Sequence, residues 1–463
     1  MINYFSFRPF DGEYLITNDA GYYAFVTKEE LTALQRDELD PESSKGRELT
    51  GKCFLYSGSR EEFLSRLTKP LRQENGFLFG STTLHIFILT TACNLQCIYC
   101  QARSGDETSF GKMSPETAER AVDFALQAPD EEMTFEFQGG EPLVNFDVIR
   151  HIVEYAEVHR GKKHISYSLV SNLTLATDEI LDFLKEHDVS ISTSLDGCAK
   201  VHNHNRPYIS GDPSYNNVLR GIQRVRDHGM TLGAIETTTR YGLVYPEELV
   251  DTYKDLSFPM VFIRPLTPLG DAARNWEEIG YTPEEFEAYY RKCLERILEV
   301  NRSGYFMIEG HARILLNKIL NHDSGNYMEL RSPCGGVCGQ MAYFYNGDIY
   351  TCDEGRMLGE MGDPIFRIGN VRSSTFDEVI TSTPCKALMS SSYLQAIPEC
   401  CDCVYQPYCG TCPVLNYQQY GDIYPDRPGG FRCRIYKGIL DTLFGYLKKG
   451  DPEVMWIFQS WVN

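Results

Sequence analysis

The sequence predicts an α/β fold: a partial barrel of six β/α units, preceded by a small α+β module and followed by a cysteine-rich region. Three observations lead there. Strand-like and helix-like stretches alternate six times between residues 84 and 302. Residues 1–80 lack that rhythm. After residue 333 the periodicity fades and most of the remaining cysteines gather.

In the N-terminal module, "GEYLITNDAGYYAFVTKEELTAL" suggests two short strands joined by Asn18-Asp19-Ala20-Gly21, then a helix capped by Thr27. "SREEFLSRLTKPL" suggests a further helix. Such a module would serve as a decoration or as a docking site for a peptide. The strands of the barrel are expected at 84–90, 133–138, 165–171, 189–195, 231–238 and 260–266, each apolar or β-branched. Between or after them lie amphipathic stretches that open on a cap or an early Pro: 114–127, 146–160, 178–187, 215–229, 246–256 and 283–300. Six parallel units are too few to close an eight-fold barrel, so one side stays open to a long substrate. The expected boundaries are 1–80 for the module, 81–310 for the barrel, 311–333 for a linker and 334–463 for the cysteine-rich domain. Little apolar periodicity is visible in that last region, which points to metal clusters as its staples.

A chain of 463 residues is long for one core. The net charge of −20 argues against a nucleic-acid binder, which needs a basic face. No apolar run is long enough to span a membrane and no secretory signal opens the chain, so a cytoplasmic location is expected. Sixteen cysteines in such a chain suggest metal ligation rather than a disulfide framework.

Cys93-x3-Cys97-x2-Cys100 follows the first strand, at the C-terminal mouth of the barrel, where β/α folds place their chemistry. A structural zinc site uses four protein ligands. Three thiolates on a [4Fe–4S] cluster leave one iron open to a small molecule that ligates through an amine and a carboxylate.

This spacing is the signature of the radical S-adenosylmethionine (SAM) superfamily, which the sequence resembles, with its TIM-like partial barrel. Tyr99 fills the aromatic position before the third cysteine. "FQGGEPL" resembles the segment that binds the SAM amino group, which implicates Gly139, Gly140, Glu141 and Pro142. By the same resemblance Ser171 and Asn172 end the third strand, Ser194 and Asp196 are candidates for ribose or methionine contacts, and Arg206 and Ile263 are further candidates. The resemblance implies that the reduced cluster cleaves SAM and that the resulting 5′-deoxyadenosyl radical abstracts hydrogen from substrate.

The later cysteines run Cys334-x3-Cys338-x13-Cys352, then Cys400-x2-Cys403-x5-Cys409-x2-Cys412-x20-Cys433. Eight thiols suffice for two four-ligand sites, and spacing alone does not separate zinc from iron–sulfur. "NGDIYTC" and "PYCGTCP" resemble the SPASM domain of peptide-modifying radical SAM enzymes. That resemblance implies two auxiliary [4Fe–4S] clusters, three in all. One would be held by Cys334, Cys338, Cys352 and Cys412, the other by Cys400, Cys403, Cys409 and Cys433. Cys401 is an alternative to Cys400, and an open position left by a non-ligating Cys338 is the alternative to Cys338. Asp353 matches the general base of the sulfatase-maturing members. Cys53, Cys198, Cys293 and Cys385 read as ordinary core residues.

Longer stretches, among them "STSLDGCAKVHNHNRP", "FIRPLTPLG" and "YCGTCPVLNYQQYG", resemble the His-Xaa-Ser system radical SAM maturases of the B type. Cys198 departs from the Pro usual there. The resemblance implies a ribosomally made precursor peptide as substrate, an intramolecular cross-link as product and a flavodoxin- or ferredoxin-type electron donor. Thioether formation, epimerisation, hydroxylation and maturation of a sulfatase or quinohemoprotein stand as alternatives. A zinc-binding scaffold is the non-enzymatic one.

Overall fold

The computed structural model describes residues 2–56, 59–102, 110–323, 327–424 and 429–463. Its N-terminal module is an antiparallel sheet of β1 (Ser6–Phe10), β2 (Glu13–Thr17) and β3 (Tyr23–Val26), with helices Lys28–Gln35 and Ser44–Gly51. Thr27 caps the first helix in a reciprocal box with Glu30, as its Thr-x-x-Glu spacing requires. Strand β1 and the second helix escaped the sequence reading. The β1 segment "SFRPF" holds a proline, which suits only an edge strand, and β1 is an edge.

The barrel strands are β4 (Leu84–Ile88), β5 (Glu132–Gln138), β6 (His164–Ser171), β7 (Ser190–Ser194), β8 (Leu232–Thr237), β9 (Met260–Val261) and β10 (Ile263–Arg264). Strands β4 to β8 are parallel neighbours in sequence order, and β10 extends them beside β8. The expected single strand at 260–266 is split. Its first half, β9, leaves to pair with β11 (Ile308–Glu309), and Pro265 cannot continue the second. The phenyl ring of Phe262 packs against Gly310 at the bend, where a side chain would not fit. The expected helices are present within one to three residues, five of them with Ser, Thr or Pro at the start.

Two expectations are corrected. Residues 311–333 are not a plain linker, because Gly310–Asn321 is a helix with Leu315, Leu316 and Ile319 buried. The C-terminal region is not held by its cysteines alone. Helix Phe431–Lys449 buries Ile435, Ile439, Leu440, Leu443 and Phe444 in the main core, alongside Phe286 and Leu294 of Pro283–Arg302. Nor does the barrel sheet end at β4. β12 (Gln340–Tyr343) pairs parallel to it, followed antiparallel by β13 (Asp348–Tyr350) and β14 (Arg367–Asn370). The cysteine-rich region is thus hydrogen-bonded onto the barrel's first strand.

The N-terminal module rests on that region too. Thr17 Oγ1 donates to Val404 O at 2.8 Å, Tyr408 OH donates to Gly21 O at 2.9 Å, and Phe444 packs edge-on to Tyr23 at 5.3 Å.

One buried histidine gives this core a pH dependence. His85 on β4 is fully buried, with Nδ1 2.8 Å from Tyr343 OH and Nε2 unpartnered. Burial lowers its pKa from 6.5 to about 3. The unfolded chain therefore binds a proton that the folded one refuses, and stability falls as pH drops from 6.5 toward 3. In His85→Leu the loss of stability between pH 6.5 and 5 should be shallower than in the wild type. Parallel slopes in denaturant titrations would exclude it.

Candidate functional site

The parallel strands end at a cavity of about 240 Å³. Its wall includes Cys93, Cys97, Cys100 and Tyr99 from the loop after β4, and Gln138 to Glu141 from the end of β5. Ser171, Asn172, Ser194, Thr237 and Arg206 complete one side, and Arg264, Pro265 and Met357 the other. The three thiols spaced along the loop are thus brought to one place.

Gly139 and Gly140 are required by close approach. Gly139 has φ +153°, and a Cβ on it would run into Thr90 O. A Cβ on Gly140 would run into Ala92 O. Gly140 N donates to Thr90 O and Glu141 N to Ala92 O, both at 2.8 Å, so the turn is laced to the cysteine loop. The Glu141 carboxylate is buried and fully engaged. It accepts from Ser171 Oγ at 2.7 Å, Asn172 N at 2.8 Å and Leu143 N at 3.1 Å. It positions the ends of β5 and β6 together. Pro142 opens a short 3-10 turn and is buried.

Asp196 is not a free contact. It lies inside the wall, accepting from Tyr99 OH at 2.7 Å, Asn205 Nδ2 at 3.1 Å and Thr237 N at 3.2 Å, with Arg206 Nε 3.0 Å away. Its work is to hold Tyr99 and Arg206. Arg206 in turn places its guanidinium 5.1 Å from the Tyr99 ring centre and 4.0 Å from Cys97 Sγ. Ile263 is fully buried and faces the core. Strand alternation brings Arg264 to the cavity instead.

Burial pushes the Cys93 thiol up to about 12, and Cys97 and Cys100 upward as well. These thiols stay protonated until a metal displaces their protons.

The C-terminal cysteines form two further groups. Cys334, Cys352 and Cys412 act electrostatically on one another, and so do Cys400, Cys403, Cys409 and Cys433. Cys401 acts electrostatically on Cys400. Cys338 donates to Cys334 O at 3.3 Å. It also lines a separate cavity of about 520 Å³ at the base of β4, together with Cys385. Burial raises Cys400 to about 11 and Cys409 and Cys412 to about 12.

Each group is accompanied by one arginine: Arg206 beside Cys97, Arg331 beside Cys334 and Cys338, Arg432 beside Cys409 and Cys412. Buried nitrogens of Arg331 and Arg432 lack a hydrogen-bond partner, and a positive charge beside each thiol group suits an anionic cluster. Among the described residues no three His, Cys, Asp or Glu side chains are gathered for a single metal ion. All-thiol donor sets, each with an arginine beside it, fit anionic iron–sulfur clusters.

Asp353 starts the helix Asp353–Glu360 directly after Cys352. Arg356, which is 1% exposed, donates through Nε to Asp353 Oδ1 at 3.0 Å and pairs with Glu360 through Nη1. Both donations to Asp353 land on Oδ1. The sequence reading missed Arg356, and it also missed Glu136. The latter faces the barrel interior, accepts from Gln138 Nε2 at 2.5 Å and Ser168 Oγ at 3.2 Å, and is raised by burial and then by the charge of Asp353. Alternation along β5 would have shown Glu136 on the face of Gln138.

Residues 87–258 match the family model of the Radical SAM superfamily. A cysteine-type anaerobic sulfatase-maturating enzyme of Clostridium novyi is 24% identical, over 74% of this chain and 89% of that one. An uncharacterized protein of Methanocaldococcus jannaschii is 34% identical over 36% of this chain, and the match spans 56% of its own length. The structure of anSMEcpe with bound AdoMet superposes with a TM-score of 0.68 at 20% identity, covering 82% of this chain and 96% of that one. Streptococcus suis SuiB bound to precursor peptide SuiA gives 0.54 at 13% identity, covering 92% and 98%.

Proposed function

From the match of residues 87–258 to the Radical SAM superfamily, we propose an enzyme that matures peptides, binding SAM at the barrel mouth and cross-linking a ribosomally made precursor. The observation that carries the reading is the convergence of Cys93, Cys97 and Cys100 with the Gly139-Gly140 turn in one cavity. The three thiolates would hold a [4Fe–4S] cluster with one open iron. Bound together, cluster and SAM supply a 5′-deoxyadenosyl radical that removes hydrogen from an unactivated C–H bond. The chain's own residues bind and orient. The glycine turn offers backbone atoms to SAM, while Ser171, Asn172 and Ser194 offer polar atoms at its edge. Arg206 places a positive charge beside Cys97.

Two auxiliary clusters on the C-terminal groups suit a product that loses two electrons. Cys334, Cys352 and Cys412 would ligate one, with Cys338 or an open place as fourth. The other would take Cys400, Cys403, Cys409 and Cys433. SuiB supports the peptide reading, since it is bound to a precursor peptide and covers more of this chain than anSMEcpe does. Residues 1–80 would dock the leader. Because the module rests on Val404 and Tyr408, a leader held there would lie beside the second C-terminal thiol group. The Clostridium novyi relative favours a second reading, oxidation of a sulfatase cysteine or serine.

Anaerobic reconstitution should give about twelve irons per chain and SAM cleavage on reduction. A peptide from a neighbouring gene should then lose two hydrogens by mass spectrometry. An unmodified precursor alongside an oxidised sulfatase peptide would replace the first reading with the second. Asp353, through Oδ2, would take the substrate's proton. Asp353→Asn should slow product formation about 10²-fold or more while SAM cleavage persists. Unchanged turnover would leave Asp353 as no more than the partner of Arg356.

A further inference from the structure

One guanidinium stands beside thiols of both C-terminal groups. Arg432 lies in the first turn of helix Phe431–Lys449, next to Cys433, and acts electrostatically on Cys412 of one group and Cys409 of the other. Its Nη2 donates to Glu329 O at 2.7 Å, its Nη1 lies 3.6 Å from Glu329 Oε2, and its Cζ is 4.6 Å from the Tyr436 ring centre. Its Nε is buried without a partner. The same side chain lines the cavity walled by Cys400, Cys409 and Cys433.

Glu329 carries a second guanidinium. Arg264 Nη2 sits 2.5 Å from Glu329 Oε1, and Arg264 lines the barrel-mouth cavity. One carboxylate between two arginines therefore links the barrel mouth to the C-terminal thiols. Stability alone is a weak reason for such a triad, because apolar side chains of similar volume often serve as well. An iron–sulfur cluster gains one negative charge on reduction. A fixed positive charge a few ångströms away, in surroundings of low dielectric, favours that reduced form, as does an N–H turned to its sulfurs.

We propose that Arg432, oriented by Glu329, is a positioning residue that sets the reduction potentials of both auxiliary clusters together. The inference rests on the three-cluster reading above. Arg432 carries the charge shared by the two clusters, and Glu329 offsets part of it. The two residues should then act with opposite sign, which a purely structural role would not produce.

The test is an anaerobic redox titration of the full-length, reconstituted chain, followed by electron paramagnetic resonance after iron has been counted. Arg432→Gln should lower both auxiliary potentials and leave that of the Cys93/Cys97/Cys100 cluster in place. Glu329→Gln should raise the auxiliary pair, and Arg432→Lys should stay near the wild type. Should Arg432→Gln fail to retain iron, the lysine variant and Glu329→Gln still decide by sign. Potentials that do not move, or that move the same way in both neutral variants, overturn the proposal while the clusters stand. A wild-type chain with only about four irons overturns the three-cluster reading and the proposal with it.

Discussion

Cys97→Ala should abolish reductive cleavage of SAM while about eight of about twelve irons remain bound. The reason lies in the separation of the thiol groups. Cys97 interacts with Cys93, Cys100 and Arg206 at the barrel mouth. The C-terminal thiols act electrostatically among themselves. Removing one of three thiolates leaves a site with two, too few to hold a cluster that also keeps an iron open. The alanine creates only a small void at a part-exposed position, so the fold should survive. Iron counting, the cluster absorption spectrum and detection of 5′-deoxyadenosine together decide the matter. Cleavage that persists in this variant would place the SAM chemistry elsewhere. A loss of all iron would mean that the three groups assemble as one unit.

Arg356→Ala should cost about 3–5 kcal/mol, the usual penalty for removing one partner of a buried ion pair. Arg356 is 1% exposed, and its partners Asp353 and Glu360 are 13% and 7% exposed, so solvent screens the pair little. Burial works against the charge of the guanidinium, but Asp353 and Glu360 outweigh it and raise its pKa, so it stays charged at every accessible pH. In the variant the carboxylates at the two ends of helix Asp353–Glu360 lose the guanidinium that links them along the helix. Arg356→Met, which refills the volume without the charge, should recover only part of the loss. The readout is the denaturant midpoint of the apo chain, since metal release would obscure that of the holo chain. A midpoint unchanged in Arg356→Ala would show that water reaches the triad.

The barrel was largely legible because its signals are local. Ser114, Thr177 and Thr282 cap the helices that follow them, and the capping hydrogen bonds need only residues two or three positions apart. The strands β4 to β8 read well because each is a short apolar or β-branched run bounded by turns. Where pairing partners come from afar, legibility stopped. The run at 260–266 reads as one strand, but its halves pair with β11 and β8, and neither partner is encoded near it. The helix Phe431–Lys449 went unread because cysteine, glycine and basic residues interrupt its apolar stripe, and only the face of Pro283–Arg302 reveals which side is buried.

The site divides in the same way. The three-cysteine loop and the Gly-Gly turn are each a short contiguous segment, and the spacing within each carries its chemistry. Asp196 and Ile263 were expected to touch a cofactor, and their placement depends on strand alternation and on neighbours about 40 and 100 residues away. The charged groups Arg264, Glu329, Arg356 and Arg432 carry no distinguishing pattern, because an ion pair has no periodicity.

The sequence by itself determined that three thiols sit at the mouth of a parallel β/α array and that eight more follow. Both are matters of short-range spacing, and short-range geometry is fixed by the backbone. Only the tertiary structure decided that β12 joins the barrel sheet and that one carboxylate, Glu329, holds two arginines beside the cavity and the C-terminal thiols. Such groupings depend on electrostatics and packing between segments far apart in the chain, which close only when the fold does.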